Sequence, residues 1–511
     1  MARCTFWLFV SLTLFYALTT SGRLHTVDEY EAFYMTESLA ERGEVSLPKN
    51  KWFFGKEGLD GKYYAPYGPL PPLVAVPGYW VGKAAVLAGG SSSLRESMVW
   101  LATTAVNAVA CAAAAALFFL LAWRLGARPR PALAAAAILA LATPHWHYAT
   151  TFFSEPISSL LLIAAAYALT RHFQEREGER ELGALFLAGL PLAFLAATRL
   201  TTAIFFPFFG VAVLILVRGG VGRKLAAAAS FCALPALAIG LYLLWNYHRF
   251  GNAFDLGYPE AMEGNRSPSN MDGDLLRGLY GLTFSPGKGL FVFALPTLVG
   301  LVGCRGFLRQ TKTLGWCFLA LPCAALLFYS KYSQWEGGYC WGPRYLVPAI
   351  GFWILPLAFF RFPTWSKVAT ASATAASALL GFLGITVSFL ECQVNRGYYT
   401  RSFQYDLDYD AFSATTSVVV HYLDESMAGR FLAEAEGLGF DRWFLFLYKN
   451  GASGLTLALV VVVLTALLVT SVVFLGKSAL AAESRQGSDE LPRETETPIP
   501  VRTAESVLTD H

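Results

Sequence analysis

The stretch TVDEYEAFYMTESLAERG, residues 26–43, follows directly on the first apolar segment of the chain. Thr26 and Glu29 have the spacing of a capping box, which predicts that a helix begins here. Gly43 predicts its end, because glycine adopts the left-handed C-terminal conformation without strain. In a capping box Glu29 reaches back to the Thr26 N–H, which leaves Asp28 free in the first turn, where the positive helix end favours a carboxylate. Taken alone, the motif favours two acids that merely cap a surface helix.

The composition is that of a membrane protein. Of the 511 residues, 55% are hydrophobic and 15% are charged, whereas a soluble protein carries about 25% charged residues. Many apolar runs approach the ~20 residues that cross a bilayer as a helix. The net charge of +3 is too small to indicate a nucleic-acid partner. The sequence therefore predicts an all-α polytopic membrane protein.

Lysines and arginines between the apolar runs set the predicted topology, because cytoplasmic loops are enriched in both. Both termini are expected inside. The twelve predicted spans lie at about 4–21, 98–122, 132–148, 156–171, 182–198, 201–217, 225–246, 289–303, 314–330, 345–360, 368–390 and 454–476.

The chain is expected to have four parts. Residues 1–390 form a transmembrane catalytic region that includes a first outer loop at 22–96. A second long outer loop follows at 391–453, then the last span at 454–476. The tail 477–511 is polar and is expected to be disordered and cytoplasmic.

Residues 69–89 are apolar enough to span, but treating them as a span would invert every later loop. We therefore expect a juxtamembrane helix that lies on the outer surface. Its first half should be broken by four prolines, Pro69, Pro71, Pro72 and Pro77.

Ionisable residues gather at the ends of spans that this topology places outside, which indicates a reaction at that face. The candidate catalytic carboxylates are Asp28 and Glu29, after the first span, and Glu155, between the third and fourth spans. Glu155 precedes Pro156 in a first helical turn. It is therefore either a helix cap or a second carboxylate that faces Asp28.

Three cations lie at the same face. Arg199 interrupts the apolar stretch 182–217, where a lone arginine is costly, so it either pairs with a carboxylate or holds a lipid phosphate. Lys288 and Arg344 lie close to glycines, which let a ligand approach the backbone. Arginine also suits bidentate phosphate recognition. The alternative for Lys288 and Arg344 is an anchor in the membrane interface.

His145 and His147 are candidate metal ligands together with an acid, although alternate residues diverge on a helix. The eight cysteines show no metal-type spacing. Only Cys340 and Cys392 fall in predicted outer segments, where they either pair or remain free thiols.

These motifs together resemble the GT-C superfamily of polytopic glycosyltransferases, in particular the bacterial branch related to protein mannosyltransferases and the lipid A aminoarabinose transferase. The resemblance covers roughly residues 1–390 and lies in the order and common outer placement of the motifs. The matching stretches are Asp28–Glu29, Lys62–Pro69, Phe152–Pro156, Arg199, Asn246–Asn252, Thr283–Gly289 and Trp341–Tyr345.

The resemblance implies a GT-C-like fold and a reaction. A polyprenyl-phosphate-linked sugar enters from the lipid, Asp28 acts as general base on an acceptor hydroxyl, the sugar transfers with inversion, and polyprenyl phosphate leaves. A leaving phosphate needs cations, which Lys62, Arg199, Lys288 and Arg344 would supply. Members of the family differ in their use of a divalent cation, so no cofactor is fixed.

The implied partners are the donor, a lipid, glycan or protein acceptor, and membrane lipids. The implied location is the plasma (inner) membrane, with the site facing the periplasm or exterior. A different function that the sequence leaves open is a transporter or flippase of a lipid-linked glycan, although transporters place charges near the membrane midplane. It also leaves open a ligase or polymerase of polyprenyl-linked glycans and a catalytically silent scaffold.

Overall fold

The computed structural model describes residues 1–49, 55–86, 91–175, 181–258, 271–338, 340–360, 364–386 and 442–489. The α-helices of these residues, numbered in chain order, are α1 Ala2–Thr19, α2 Val27–Arg42, α3 Leu70–Val86, α4 Ser92–Arg124, α5 Pro129–Leu141, α6 His145–Tyr148, α7 Glu155–Glu175, α8 Glu181–Ala188, α9 Leu190–Thr198, α10 Phe206–Leu216, α11 Val221–Phe250, α12 Leu275–Phe284, α13 Leu290–Phe293, α14 Pro296–Ser330, α15 Ile350–Ile354, α16 Thr364–Thr386, α17 Trp443–Lys449 and α18 Gly454–Asp489.

Short 3-10 segments and one hairpin complete the described secondary structure. The 3-10 segments are Leu200–Phe205, Arg344–Ala349 and Leu355–Phe359. Strands β1 Lys56–Glu57 and β2 Tyr63–Tyr64 pair antiparallel in the first loop.

Six helices in the described part of the chain are long and apolar enough to cross a membrane: α1, α4, α11, α14, and the ranges Ser366–Thr386 and Gly454–Ser484 within α16 and α18. The prediction of an all-helical, multi-pass membrane protein is confirmed. The count of twelve spans is not confirmed, because several predicted spans form shorter or broken helices. The predicted spans 289–303 and 314–330, for example, lie mostly within α14, which has a non-helical residue, Lys312, at their junction.

The predicted helix after the first span is confirmed. Helix α2 begins after Thr26, whose side chain accepts a hydrogen bond from the Glu29 N–H. It ends at Gly43, which has a φ of 69° in the left-handed region. Glycine adopts this conformation at little cost, so the local sequence fixes both ends of α2.

Helix α3 forms at the predicted place, but its prolines do not break it. Pro71 and Pro72 lie in the first turn, where the missing N–H groups would have no helical partner anyway. Pro77 lies inside the same continuous helix. The backbone of α3 packs closely on α4, since a Cβ atom at Gly78 would lie 2.4 Å from the Ala102 carbonyl oxygen.

The C-terminal part differs from the prediction where the structure describes it. Helix α18 continues beyond residue 476 to Asp489, so the start of the tail is helical rather than disordered. It packs along α1, where Trp7 stacks on Phe474 at 4.8 Å between ring centroids. Most of the predicted outer loop 391–453, including Cys392, and the tail from 490 lie outside the described residues.

The orientation in the membrane can be tested by labelling. In a variant without its native cysteines, a thiol at position 92, in place of Ser92, should react with a membrane-impermeant maleimide added outside. A thiol at position 484, in place of Ser484 on the continuation of α18, should react only after the membrane is opened. The reverse pattern would show that the predicted topology is wrong.

Candidate active site

Arg344 is the centre of the candidate site. It begins the 3-10 segment Arg344–Ala349, and its guanidinium contacts two carboxylates. Its Nη1 lies 2.6 Å from Asp28 Oδ2, and its Nε lies 2.9 Å from Glu155 Oε1. Residues far apart in the sequence, at the starts of three helical segments, therefore meet at one cation.

Arg199 extends this cluster. Its Nη1 lies 3.4 Å from the same Glu155 oxygen, so the order of contacts is Asp28, Arg344, Glu155, Arg199. We call these four residues the ionic network. It carries two positive and two negative groups, which balance.

Burial differs between the centre and the ends of the network. The side chains of Glu155 and Arg344 are 3% and 8% exposed, whereas those of Arg199 and Asp28 are 16% and 18% exposed. The central pair is thus sealed in the protein, and the two ends keep some access to their surroundings. Glu155 Oε2 is buried and has no hydrogen-bond partner among the described residues.

Aromatic rings line the two arginines. The Arg344 guanidinium lies 4.4 Å from the centroid of the Phe153 ring, and that of Arg199 lies 5.4 Å from the Tyr345 ring. Tyr345 in turn stacks on Tyr329 at 4.6 Å. Cation–π contacts strengthen when they are shielded from water, so these rings help to hold both guanidinium groups in place.

Glu29 is not part of the ionic network. Its carboxylate is fully buried, and it accepts a hydrogen bond from the backbone N–H of Phe152 at 3.2 Å. Its other contacts are to the side chains of Thr26 and His25. The carboxylate therefore ties α2 to the segment before α7, a contact that the capping box did not predict.

The segment before α7 is also held from α4. The buried side-chain amide of Asn107 donates to the carbonyls of Thr151 and Phe153, at 2.8 and 2.7 Å. These bonds fix the backbone immediately before Glu155. Sequence reasoning missed Asn107, although a lone amide inside an apolar helix is a signal of such a role.

Sequence reasoning also missed two tyrosines near the network. Burial and the nearby Asp28 raise the pKa of the Tyr67 hydroxyl. Burial likewise raises the pKa of Tyr258, whose hydroxyl lies within hydrogen-bond reach of Arg199. Both hydroxyls are therefore protonated at neutral pH and can donate hydrogen bonds to a ligand.

The remaining predicted cations have other partners. Lys62 is 45% exposed, and its ammonium lies 2.8 Å from Glu44. Lys288 is buried, and its ammonium donates to the carbonyls of Gly338 and Cys340 at 2.8 and 2.7 Å. The structure thus brings Arg199 and Arg344 together with the two acids but places both lysines in separate contacts.

The two candidate metal-ligand histidines point to different partners. His145 Nε2 lies 3.0 Å from Ser159 Oγ, and His147 Nδ1 lies 2.8 Å from the Gly384 carbonyl oxygen. Within the described ranges, no three side chains of His, Cys, Asp or Glu come together as a metal site. Cys340 is a buried free thiol.

Comparisons with known proteins gave structural matches only. No family model matches the chain, and no curated protein matches it by sequence. It is similar to the crystal structure of ArnT from Cupriavidus metallidurans bound to undecaprenyl phosphate, with 15% identity, a TM-score of 0.48, and coverage of 89% of this chain and 86% of that one.

A second similar structure is the Archaeoglobus fulgidus oligosaccharyltransferase tethered with an acceptor peptide, with 11% identity and a TM-score of 0.48. The match covers 80% of this chain but only 58% of that one. The matched structures are thus an ArnT and an oligosaccharyltransferase, both at low sequence identity.

The network predicts a stability effect at Glu155. Replacing Glu155 by Gln leaves the buried Arg344 and the partly buried Arg199 without their shared carboxylate. Removing one partner of a buried ion pair costs about 3–5 kcal/mol. The melting temperature of the purified Glu155→Gln protein should therefore fall. It should recover in part in the Glu155→Gln/Arg199→Met double variant.

The matched control for that experiment is Glu57→Gln. Glu57 is 53% exposed and lies 4.0 Å from Lys49, and such surface pairs contribute little to stability. The melting temperature of this control should not change. An equally unchanged melting temperature in Glu155→Gln would contradict a structural role for the network.

Proposed function

We propose that this protein is a glycosyltransferase that moves a sugar from a polyprenyl-phosphate donor to a hydroxyl of a lipid, glycan or protein acceptor. The observation that supports this proposal is the ionic network with its partly accessible ends. A carboxylate at one end can serve as a base, and the arginines can stabilise a departing phosphate. Both assist displacement of a phosphate at a sugar carbon.

In the proposed reaction, Asp28 accepts the proton of the acceptor hydroxyl while that oxygen attacks the anomeric carbon. The attack comes from the side opposite the phosphate, so the configuration inverts. The bond between the anomeric carbon and the phosphate oxygen breaks, and its electron pair stays on that oxygen. The products are the new glycoside and polyprenyl phosphate, with the proton on Asp28.

Arg199 and Arg344 are the donor-phosphate ligands that the geometry supports best. Arg199 contacts Glu155 at 3.4 Å, near the limit of a hydrogen bond, and its side chain is 16% exposed, so a phosphate can approach it. A phosphodiester also brings a negative charge that competes with Asp28 for Arg344. Donor binding would thereby loosen the contact of Arg344 with Asp28 and free the base for the acceptor.

The two other acids have positioning roles in this proposal. Glu155 holds both arginines through a single oxygen, which sets the distance between them. Glu29 fixes the first turn of α2 against the Phe152 backbone and so keeps Asp28 at the network. Because Glu155 lies between two cations, it is a poorer candidate for the base than Asp28.

The proposal includes a location. We place the protein in the plasma (inner) membrane, with the ionic network facing the periplasm or exterior, because the basic loops between the predicted spans favour the cytoplasm. Lipid-linked donors would then reach the network from the bilayer.

Replacing Asp28 by Asn should abolish transfer. The amide keeps the shape of the carboxylate but cannot accept the proton, and a general base contributes about 10²–10⁴-fold to the rate. The measurement is release of polyprenyl phosphate by the purified enzyme, together with its melting temperature. Normal turnover by a folded Asp28→Asn protein would refute the proposed base.

Two neighbours in α2 serve as controls. Glu29→Gln should lose less activity, with part of the loss explained by a lower melting temperature. Glu37→Gln should retain normal transfer, because Glu37 contacts Tyr79 at 3.2 Å on the side of α3. Movement of the intact donor across the membrane without release of polyprenyl phosphate would favour a transporter instead.

Arg199 should bind the donor phosphate. Arg199→Ala should weaken binding of polyprenyl phosphate by about tenfold or more, the effect of one lost charge-assisted hydrogen bond. Arg199→Lys should recover only part of the affinity, because lysine lacks the bidentate fork. Arg95→Ala, at an exposed arginine near the start of α4, should bind normally. Unchanged affinity in a folded Arg199→Ala protein would leave Arg199 only its structural contact with Glu155.

A further inference from the structure

Lys288 is a buried cation that the proposed reaction does not use. It lies between α12 and α13, and its side chain is enclosed in the protein. The ammonium donates to the carbonyls of Gly338 and Cys340 and lies 3.2 Å from the Cys340 sulfur. These three contacts match the three N–H donors of a lysine.

None of these partners is a carboxylate. Taking an ammonium out of water is costly, and proteins usually offset this cost with an acid. Here the compensation comes from the backbone carbonyls of Gly338 and Cys340, which belong to the loop residues 337–338 and 340–342. The three contacts of Lys288 are therefore made to residues of a loop and not to another charged side chain.

The same loop residues lead directly into Arg344. Arg344 Nη1 lies 3.4 Å from the Gly337 carbonyl oxygen, and the Trp341 carbonyl accepts a hydrogen bond from the Tyr148 hydroxyl at 3.0 Å. Gly337 and Gly338 have φ values of 76° and 72°, a left-handed conformation that favours glycine. Carbonyls of these loop residues are therefore aimed at Lys288, Arg344 and Tyr148.

We infer that Lys288 is a positioning residue for Arg344. By holding the carbonyls of Gly338 and Cys340, it sets the path of the backbone into Arg344, and so the place of the guanidinium between Asp28 and Glu155. This inference rests on the proposed function, in which Arg344 binds the donor phosphate. It differs from direct phosphate binding by Lys288, because the ammonium has its donors engaged before any ligand arrives.

A double-mutant cycle with polyprenyl phosphate as the probe tests this inference. Arg344→Met should weaken binding by about tenfold or more, and Lys288→Met should weaken it by a similar factor. Because Lys288 acts through Arg344, the Lys288→Met/Arg344→Met protein should bind no more weakly than Arg344→Met alone. If the loss of affinity in the double variant is instead the product of the two single losses, the inference is overturned, and Lys288 binds the phosphate directly.

Two further variants separate positioning from general stability. Lys331 also donates to a backbone carbonyl, that of Gly273, at 2.8 Å, so Lys331→Met is a matched control and should bind the probe normally. Lys288→Arg keeps the charge but replaces a compact ammonium by a larger, planar guanidinium, which changes the geometry of both carbonyl contacts. It should lose affinity as Lys288→Met does, whereas affinity retained within about twofold would overturn the inference.

The outcomes also distinguish this inference from the proposed function. If Arg344→Met binds polyprenyl phosphate as the unchanged protein does, the proposed function fails at its phosphate ligand. If Arg344→Met binds weakly but the cycle is multiplicative, only the role of Lys288 fails. Should Lys288→Met not fold, the same cycle with Lys288→Arg decides between the two results.

Discussion

The contact of one guanidinium with two carboxylates is the interaction on which the candidate site depends. Arg344 lies 2.6 Å from Asp28 and 2.9 Å from Glu155, and the central pair is sealed from solvent. A buried ion pair adds little net stability, but it is costly to break because an uncompensated charge remains. The network therefore contributes mainly to structural specificity, because it favours one arrangement of three helical segments over others.

Several contacts in the surrounding structure hold these helical segments in this arrangement. Asn107 and Glu29 hold the backbone before Glu155 from two sides. Lys288 engages carbonyls of the segment that precedes Arg344. These contacts use backbone N–H and C=O groups, which supply fixed directions at low conformational cost, and so they orient charged side chains that are otherwise flexible.

The network also determines how an anionic ligand can bind. Its charges balance in the described structure, so an anionic donor has to compete with a carboxylate for arginine. The exposed fractions place this competition at the two ends, Asp28 and Arg199, rather than at the sealed centre. In the proposed reaction, binding of the donor and release of the base are thus consequences of the same exchange of partners.

The sequence by itself determined features that depend on local rules. The bounds of α2 follow from a capping threonine and a left-handed glycine, and the multi-pass membrane character follows from the length and apolarity of its runs. The place of Asp28, Glu155, Arg199 and Arg344 at the ends of helical segments was also readable from the chain. Local rules failed for α3, where prolines in a first turn do no harm, and for the continuation of α18.

Only the tertiary structure decided which of these residues meet. Glu155 and Arg344 are 189 positions apart, and no periodicity or cap connects them. Likewise, the pattern of a lysine beside glycines fits a ligand site and the observed carbonyl contacts of Lys288 equally well. Both need a hydrogen-bond donor at a tight turn. The partners of a buried charge are chosen by packing between distant helices, since desolvation requires some partner but does not specify which.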